Sequence, residues 1–399
     1  MESPTSPTSP ASKQMRSLGV ETITKSIKEL YHLQVLGQGG FGYVYKARRI
    51  EQPNGVKVAL KQITARDPHR FNSIIREIRF MRMLSNINDS HFIQITHAYQ
   101  RKTHDNLGNQ QREFYIEMEL ADGDLSDFMN SDYYGRKARK DDLICDIALD
   151  VAQALIIMHG RKHIHADLKP ENIMYFSNSR AFTFKLGDFG LACDAPCFEH
   201  QGGTSGYIDP MVACFDTYRL NEASDMYSFG VILYNMFADS VYMVGTLCGY
   251  EVIYHYNSMI ASPPKNDYWK LIYNLLQPFT PEKRLSAKAA FDVLNGRKAN
   301  LTIPHEPQTT EMYQLQKAKY AATKPLAAAT SPTPTSCKRS SKSAVLSLIR
   351  GIKKDHHELC DDPFTFDTLQ SDLIDLGIMD KPHVDEILKR YRTDIQKLI

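Results

Sequence analysis

The stretch His163–Met174, HIHADLKPENIM, sets an aspartate, a lysine and an asparagine close together: Asp167, Lys169 and Asn172. Asp167 can accept a hydrogen bond from an attacking hydroxyl and aim it, while Asn172 can ligate magnesium through its amide oxygen. Lys169 can neutralise charge building on a transferred group. Downstream, KLGDFGLA offers Asp188 as a second metal ligand, with Gly190 a flexible point after it. Upstream, LGQGGFGYVYK spaces Gly37, Gly39 and Gly42 as G-x-G-x-x-G. Without Cβ atoms, the N–H groups of such a loop approach phosphate oxygens closely. Lys61, ending VALK, can place its ammonium on α- and β-phosphates. Held in a partly buried cleft, it needs a carboxylate partner, and Glu77 is the candidate. Each of these residues alone is more often an ordinary polar group on a loop or surface. Together, a lysine, two metal ligands and a hydroxyl-orienting aspartate suffice for phosphoryl transfer, which rests on positioning and electrostatics.

The elements that must position them read as two groups. YHLQVLGQGG and FGYVYKARR fit the arms of a hairpin, and VKVALKQI fits a third strand. Because YVYKA continues as a strand, the glycine loop caps phosphates from above instead of opening a helix as a Rossmann motif does. FNSIIREIRFMRML places Ile74, Ile78 and Met81 on one helical stripe. HFIQITHAYQ and REFYIEMEL follow as strands around the turn THDNLGNQQ. After Ala121 the pattern turns helical, with DDLICDIALDVAQALIIMHG and ASDMYSFGVILYNMF as long, largely buried helices. A small sheet lobe, a larger helical lobe and a cleft between them suit a nucleotide.

Composition sets the frame. The 399 residues are 42% hydrophobic and 24% charged, and 48 basic against 46 acidic side chains leave no global field that points to nucleic acid or a membrane surface. No uninterrupted apolar run is long enough to span a bilayer, and the N-terminus lacks a signal-peptide layout. Seven scattered cysteines point to a reducing compartment, so the expected location is the cytoplasm, with the nucleus as the alternative.

Along the chain, residues 1–25 read as a disordered Ser/Pro-rich tail, with Ser-Pro at Ser3, Ser6 and Ser9. Residues 30–299 carry the periodic core, 300–343 read as linker, and 344–399 as a small helical module. From Asn300 to Lys354 there are nine Lys/Arg against two Glu. The helical stretch 344–354 fits an interfacial membrane helix, a calmodulin-type target or, the favoured reading, an intramolecular helix. The last segment faintly resembles the closing helices of SAM-type interaction domains, which makes it a candidate site for a protein partner. Ser331-Pro332 and the N-terminal Ser-Pro pairs are candidate sites for proline-directed phosphorylation.

The combination resembles the eukaryotic-type protein kinase family over about residues 30 to 299. GQGGFGYV looks like its glycine-rich loop, VALK its strand-three lysine, Glu77 its helix-C glutamate, HADLKPEN its catalytic loop and DFG its metal motif. GTSGYIDP looks like the P+1 and A-P-E region. Asp225 in ASDMYSFG and Arg284 in PEKRLSA resemble later signatures. The resemblance implies an α+β bilobal fold, with a small antiparallel-sheet N-lobe carrying helix C, a larger helical C-lobe and flexible tails. It further implies Met118 as gatekeeper and Glu119 to Ala121 as a hinge to adenine. Val44, Ala59 and Met174 would sandwich the base, with Leu36 at the loop. The implied cofactors are ATP with Mg2+, or Mn2+ in its place. Lys169 with Gly203-Thr204 is similar to the serine/threonine-directed branch, and proteins are the implied substrates.

Two departures from the pattern bear on activity. Ala166 replaces the arginine of the usual H-R-D, and LACDAPCFEHQGG, Leu191 to Gly203, contains no Ser, Thr or Tyr. Receptor and acceptor of an activating phosphate are thus missing together, which points to an active enzyme that orders this segment without phosphorylation. Met211 stands where the family has the A-P-E glutamate that pairs with the arginine matching Arg284; Asp209 is the nearest substitute. Cys193 and Cys197 lie four residues apart in the same segment and read as ordinary thiols ahead of a zinc or redox pair. The alternatives to a kinase of protein Ser/Thr are a pseudokinase scaffold, supported by Ala166 and Met211, and a small-molecule or lipid kinase, disfavoured by Lys169.

Overall fold

A computed structural model describes residues 15–321, apart from 40–41, 88–90, 106–107, 136–139, 179–180, 198–202, 216, 239–249, 262–267 and 297–307, together with 389 and 392–396. The first part is a six-stranded sheet ordered β1-β5-β6-β4-β3-β2, with β1 Val20–Thr22, β2 Tyr31–Gly39, β3 Gly42–Arg49, β4 Val58–Ala65, β5 Ile95–His104 and β6 Gln110–Glu119. Only β1 pairs in parallel, on β5; the other neighbours are antiparallel. Strand alternation gives the sheet two faces. Ala59 and Lys61 lie on one face with their cross-strand partners Met118, Ile116 and Val44. Leu60, Tyr115 and Ala47 fill a separate apolar cluster with Ile27, Tyr31 and Tyr99. Helix α1, Pro68–Ser85, starts on an Asp67 cap whose carboxylate accepts from the Arg70 amide at 2.8 Å, with proline in the first turn.

The second part is helical. Helix α2, Lys140–Gly160, buries Ile144, Ile147, Ala148, Val151, Leu155 and Met158. By length and hydropathy alone α2 is apolar enough to cross a membrane. Here that apolar surface belongs to the common core shared with α4, Glu222–Ala238, and α6, Trp269–Leu275. Further helices include α3 Pro210–Cys214, α5 Tyr250–Ala261, α7 Ala287–Leu294 and α8 Thr310–Ala321, with short ones at Leu125–Met129, Asp132–Gly135 and Arg392–Ile395. Strands β7 Gly123–Asp124, β9 Ile173–Ser177 and β10 Phe182–Leu186 form a small sheet, and β8 His163–Ile164 pairs with β11 Cys193–Asp194. This is the expected bilobal α+β fold.

Two expected boundaries move. Residues 15–22, read as part of the tail, are structured: Met15 and Val20 are buried in the core and β1 extends the sheet. A three-residue strand is too short to show alternation, so its sequence reads as tail. The segment 300–343 is not all linker either, because α8 packs on the helical lobe. Gln316 donates to the Phe279 carbonyl at 3.0 Å, Thr217 donates to the Tyr320 carbonyl at 2.8 Å, and Tyr320 stacks on Phe215 at 5.6 Å. The inward stripe of α8 is Met312, Tyr313, Gln316 and Tyr320, which a count of large aliphatic residues misses. The larger lobe therefore runs past 299. The stretch 344–354, Ser331-Pro332, the N-terminal Ser-Pro pairs and most of the 344–399 module lie outside the described residues.

On the outer face of the sheet, β6 buries Glu117 with 2% exposure. Arg49 donates to both its carboxylate oxygens at 3.1 and 3.0 Å, Thr96 donates at 2.6 Å, and the Tyr31 hydroxyl adds a further bond. Burial alone would raise this carboxyl, but these donors hold it down to about 2, against an ordinary 4.5. A depressed carboxyl contributes stability that is present in full above pH 4.5 and lost as pH falls toward 2. The loss amounts to on the order of 3 kcal/mol. Urea unfolding followed between pH 5 and pH 2 is expected to show this slope in the wild type and a flattened one in Glu117→Gln.

Candidate active site

Lys61 sits at the centre of the cleft. Its Nζ lies 2.6 Å from Glu77 Oε1 on α1 and 2.9 Å from Asp188 Oδ1 in the turn after β10. Glu77 is 4% exposed. Burial alone would lower the Lys61 pKa, but the charges of Glu77 and Asp188 outweigh it and leave the ammonium firmly charged. For Asp188, burial pulls upward and Lys61 pulls down harder, so its carboxyl ends below the ordinary range. Glu77 goes the other way: its burial outweighs the single contact with Lys61, which it shares with Asp188. The predicted pair is thus formed, and Asp188 joins it.

The loop of the opening sequence folds around Asp167. Asp167 Oδ1 accepts from the Thr204 amide and hydroxyl, both at 2.8 Å, and Oδ2 lies 3.0 Å from Lys169 Nζ. Lys169 also donates to Thr204 Oγ1 at 2.5 Å. Asn172 spends its amide nitrogen on Asp167, on the carbonyl at 2.8 Å and on Oδ2 at 3.2 Å. With the nitrogen so engaged, the amide oxygen is the atom left for a metal. The three predicted residues and Thr204 therefore converge.

Beneath them lies Asp225 on α4, 2% exposed. Its carboxylate accepts from the amides of His165 at 2.8 Å and Ala166 at 2.9 Å, and from His159 Nε2 at 2.9 Å. Burial would raise this carboxyl; the His159 bond and charge lead the effects that bring it below the ordinary range. Ala166 has φ 65, left-handed backbone that costs an L residue about 1–2 kcal/mol. The Asp225 bond holds it there. Asp188, φ 54, is held likewise by Lys61. His165 Nε2 lies 3.0 Å from the Gly187 carbonyl, and its ring meets Phe189, which is fully buried.

The positions expected to face a nucleotide lie as follows. Val44 opposes Lys61, Ala59 opposes Met118, and Met174 lies in β9 beside Asp124 of β7. Leu36 occupies the bulge between the Val35 and Gly37 pairs and is half exposed. A Cβ at Gly37 would meet nothing within 4 Å, so the space over that backbone is open. Gly42 has a different constraint. A Cβ there would fall 1.9 Å from the Gln62 carbonyl oxygen at φ +143, so sheet pairing itself demands glycine. Gly39 closes β2, and the tip of the loop lies outside the described residues. Glu119 turns its side chain away, to Lys185 Nζ at 2.7 Å and the Gln94 amide at 2.8 Å. Its own amide donates to the Gln94 carbonyl at 3.0 Å, which fixes the main chain leading into Leu120 and Ala121. The Lys185 contact was not legible in sequence, since only the β9–β10 hairpin brings it to Glu119.

Asp209 does take the place of the missing glutamate. Its two oxygens meet Arg284 Nη1 and Nη2 at 2.7 and 2.9 Å, with both side chains fully buried. The same carboxylate accepts from the Met211 amide at 3.0 Å and so caps α3, while Met211 itself is buried in the core. Among the described residues no His/Cys/Asp/Glu cluster could hold a metal as a structural site. The Cys193 thiol is hydrogen-bonded to Cys197 and buried, which pushes its pKa up.

Comparison with known proteins agrees with this geometry. The model of the protein kinase domain matches residues 30–293. An LRR receptor-like serine/threonine-protein kinase of Arabidopsis thaliana is 34% identical over 212 residues, which is 51% of this chain but only 22% of that protein. A mitogen-activated protein kinase of Pyricularia oryzae is 27% identical over 311 residues, covering 73% of this chain and 80% of the relative. A calcium/calmodulin-dependent protein kinase type 1 of Macrobrachium nipponense is 31% identical over 237 residues, 58% of this chain and 60% of its own.

Removing one partner of a buried, bidentate pair strands the other charge. Asp209→Ala is expected to lower stability by about 3–5 kcal/mol in a urea titration, whereas Asp209→Leu with Arg284→Met loses far less.

Proposed function

The chain belongs to the protein kinase family, in its serine/threonine-directed branch, and on that premise we propose that it transfers the γ-phosphate of Mg·ATP to protein Ser/Thr hydroxyls without a phosphate on its own activation segment. The observation that carries this reading is the assembled Lys61–Glu77–Asp188 cluster in a chain whose residues 191–203 hold no phosphate acceptor.

The residues present fit the cofactor. Asn172 offers an amide oxygen and Asp188 a carboxylate, a hard-oxygen set that suits Mg2+, or Mn2+ in its place. Bound, the ion supplies neutralisation of charge between the phosphates. Lys61 is charged and aimed, so it binds and orients the nucleotide phosphates. Asp167, held by the Thr204 amide and hydroxyl, accepts the hydrogen bond and then the proton of the attacking hydroxyl at its carboxylate. Lys169, bridging Asp167 and Thr204, offsets the negative charge that develops beside them.

The scaffold alternative rested on Ala166 and Met211. Asp209 supplies the pair that Met211 cannot, and the Ala166 position serves Asp225 through its main chain, which any residue carries. Both supports for that alternative are thereby weakened. The family match and its serine/threonine kinase relatives speak for a protein over a small-molecule acceptor. Protein substrates follow from the family; a partner for the 344–399 module and a cytoplasmic location are proposals from sequence alone.

Labelled phosphate from Mg·ATP should pass to a mixed Ser/Thr peptide pool, survive prior phosphatase treatment of the enzyme, and fall ~10²-fold or more in Asp167→Asn. Nucleotide binding without transfer, or loss of transfer after phosphatase, would overturn the proposal.

A further inference from the structure

Nothing in phosphate chemistry calls for residues 15–22, yet they are built into the sheet lobe. Strand β1 lies parallel to β5 with Val20 opposite Ala98 and Thr22 opposite Gln100. The Ile23 amide donates to the Gln100 carbonyl at 2.9 Å, and Gln100 Nε2 donates to Thr22 Oγ1 at 2.9 Å. Ahead of the strand, Met15 is 2% exposed, in the same core cluster as Ile74, Ile75 and Ile78 of α1.

The contacts of this segment reach both ends of α1. At the first turn, Arg112 is the joint: its Nη1 lies 4.0 Å from Met15 Sδ and donates to Gln100 Oε1 at 3.2 Å. The same guanidinium sits over the Phe71 ring at 5.3 Å, and Phe71 packs edge-on against Phe114 of β6. At the last turn, Gly19 lies near Arg82, close enough that a Cβ added to it would be 3.7 Å from Arg82 Nη2. Arg82 Nη1 in turn donates to the Thr96 carbonyl at 3.2 Å, next to the start of β5. Glu77 sits between these two anchors, six residues after Phe71 and five before Arg82. A helix pinned at both ends cannot rotate or swing out as a rigid rod, so Glu77 stays within reach of Lys61.

We propose that residues 15–22 are a positioning strap for α1, which holds Glu77 against Lys61 and takes over an ordering task that residues 191–203 carry no phosphate to perform. Met15 is its buried contact, Gly19 passes close to Arg82, and Gln100 and Arg112 fasten it to the sheet. The strap acts through Glu77 and touches neither nucleotide nor acceptor. The proposal rests on the reading of the cleft as an active kinase centre for its consequence on rate, though the placement of α1 can be measured without activity.

The test compares the full-length wild type with Met15→Glu, Met15→Leu and Gln100→Ala. Hydrogen exchange over α1 is read beside that over α2 and α4, and phosphate transfer at saturating Mg·ATP and peptide is read in parallel. Met15→Glu is expected to speed exchange across α1 by ~tenfold or more while α2 and α4 keep wild-type protection, with Gln100→Ala intermediate and Met15→Leu close to wild type. The turnover rate should fall ~tenfold in Met15→Glu with little change in the KM for peptide. In a Glu77→Gln background, Met15→Glu should change turnover by less than ~twofold, because the strap has no other route to the site. Unchanged α1 exchange in both Met15→Glu and Gln100→Ala overturns the strap, as does a loss that multiplies with that of Glu77→Gln. Loss of protection in α2 and α4 as well means Met15 is a general core residue and also overturns it. A wild type that transfers no phosphate sinks the active-kinase reading by itself; the exchange pattern then still decides whether the strap positions α1.

Discussion

Asp225 is the carboxylate on which the whole site hangs. Buried on a core helix, it collects the amides of His165 and Ala166 and the ring of His159. A carboxylate taken out of water is costly unless its lone pairs are met, and here they are met by the His165–Ala166 main chain and by His159 of α2. The loop is thereby bent into left-handed backbone at Ala166 and kept there. From His165 the restraint passes on, since its ring nitrogen meets the Gly187 carbonyl and the Gly187 amide donates to the Asn172 carbonyl at 2.9 Å. Asn172, Asp188 and Asp167 are thus fixed relative to one helix. The side chain at 166 takes no part in this chain of bonds, which is why alanine can stand there without disturbing its neighbours.

Two buried glutamates in the same lobe show how the count of donors sets a charge. Glu117 receives two bonds from Arg49 and one each from Tyr31 and Thr96, and its carboxyl is driven far down. Glu77 has Lys61, and must share it with Asp188, so burial prevails and its carboxyl is pushed up. The first arrangement gathers several donors on one carboxylate; the second divides one lysine between two carboxylates.

Much of the site was legible because its chemistry lies in short linear stretches. VALK, HADLKPEN and DFG each bring their functional atoms with them, and the strand and helix periods around them are strong. What escaped notice lacks such a signal. β1 is too short to alternate, and Met15 looks like one methionine in a polar tail. α8 buries Gln316 and ring edges of Tyr313 and Tyr320 where aliphatic residues would have announced a core helix. Glu117 reads as a solvent-facing strand residue until β2, β3 and β5 deliver its partners. Asp209 was visible as a candidate, but only the bidentate geometry with Arg284 decides that two residues of offset along the chain can be absorbed.

The parallel pairing of β1 has a consequence for how the chain comes to be folded. Thr22 and Gln100 are partners 78 residues apart, so residues 20–22 have no partner strand until β5 has been made. Closing a loop of that size costs entropy before any contact repays it, and such long-range pairings form slowly. The sheet lobe is therefore completed at its edge, late, by its oldest residues. Until then β5 presents an open strand edge to other chains, and the interval is the time in which a nascent molecule is most exposed to mispairing.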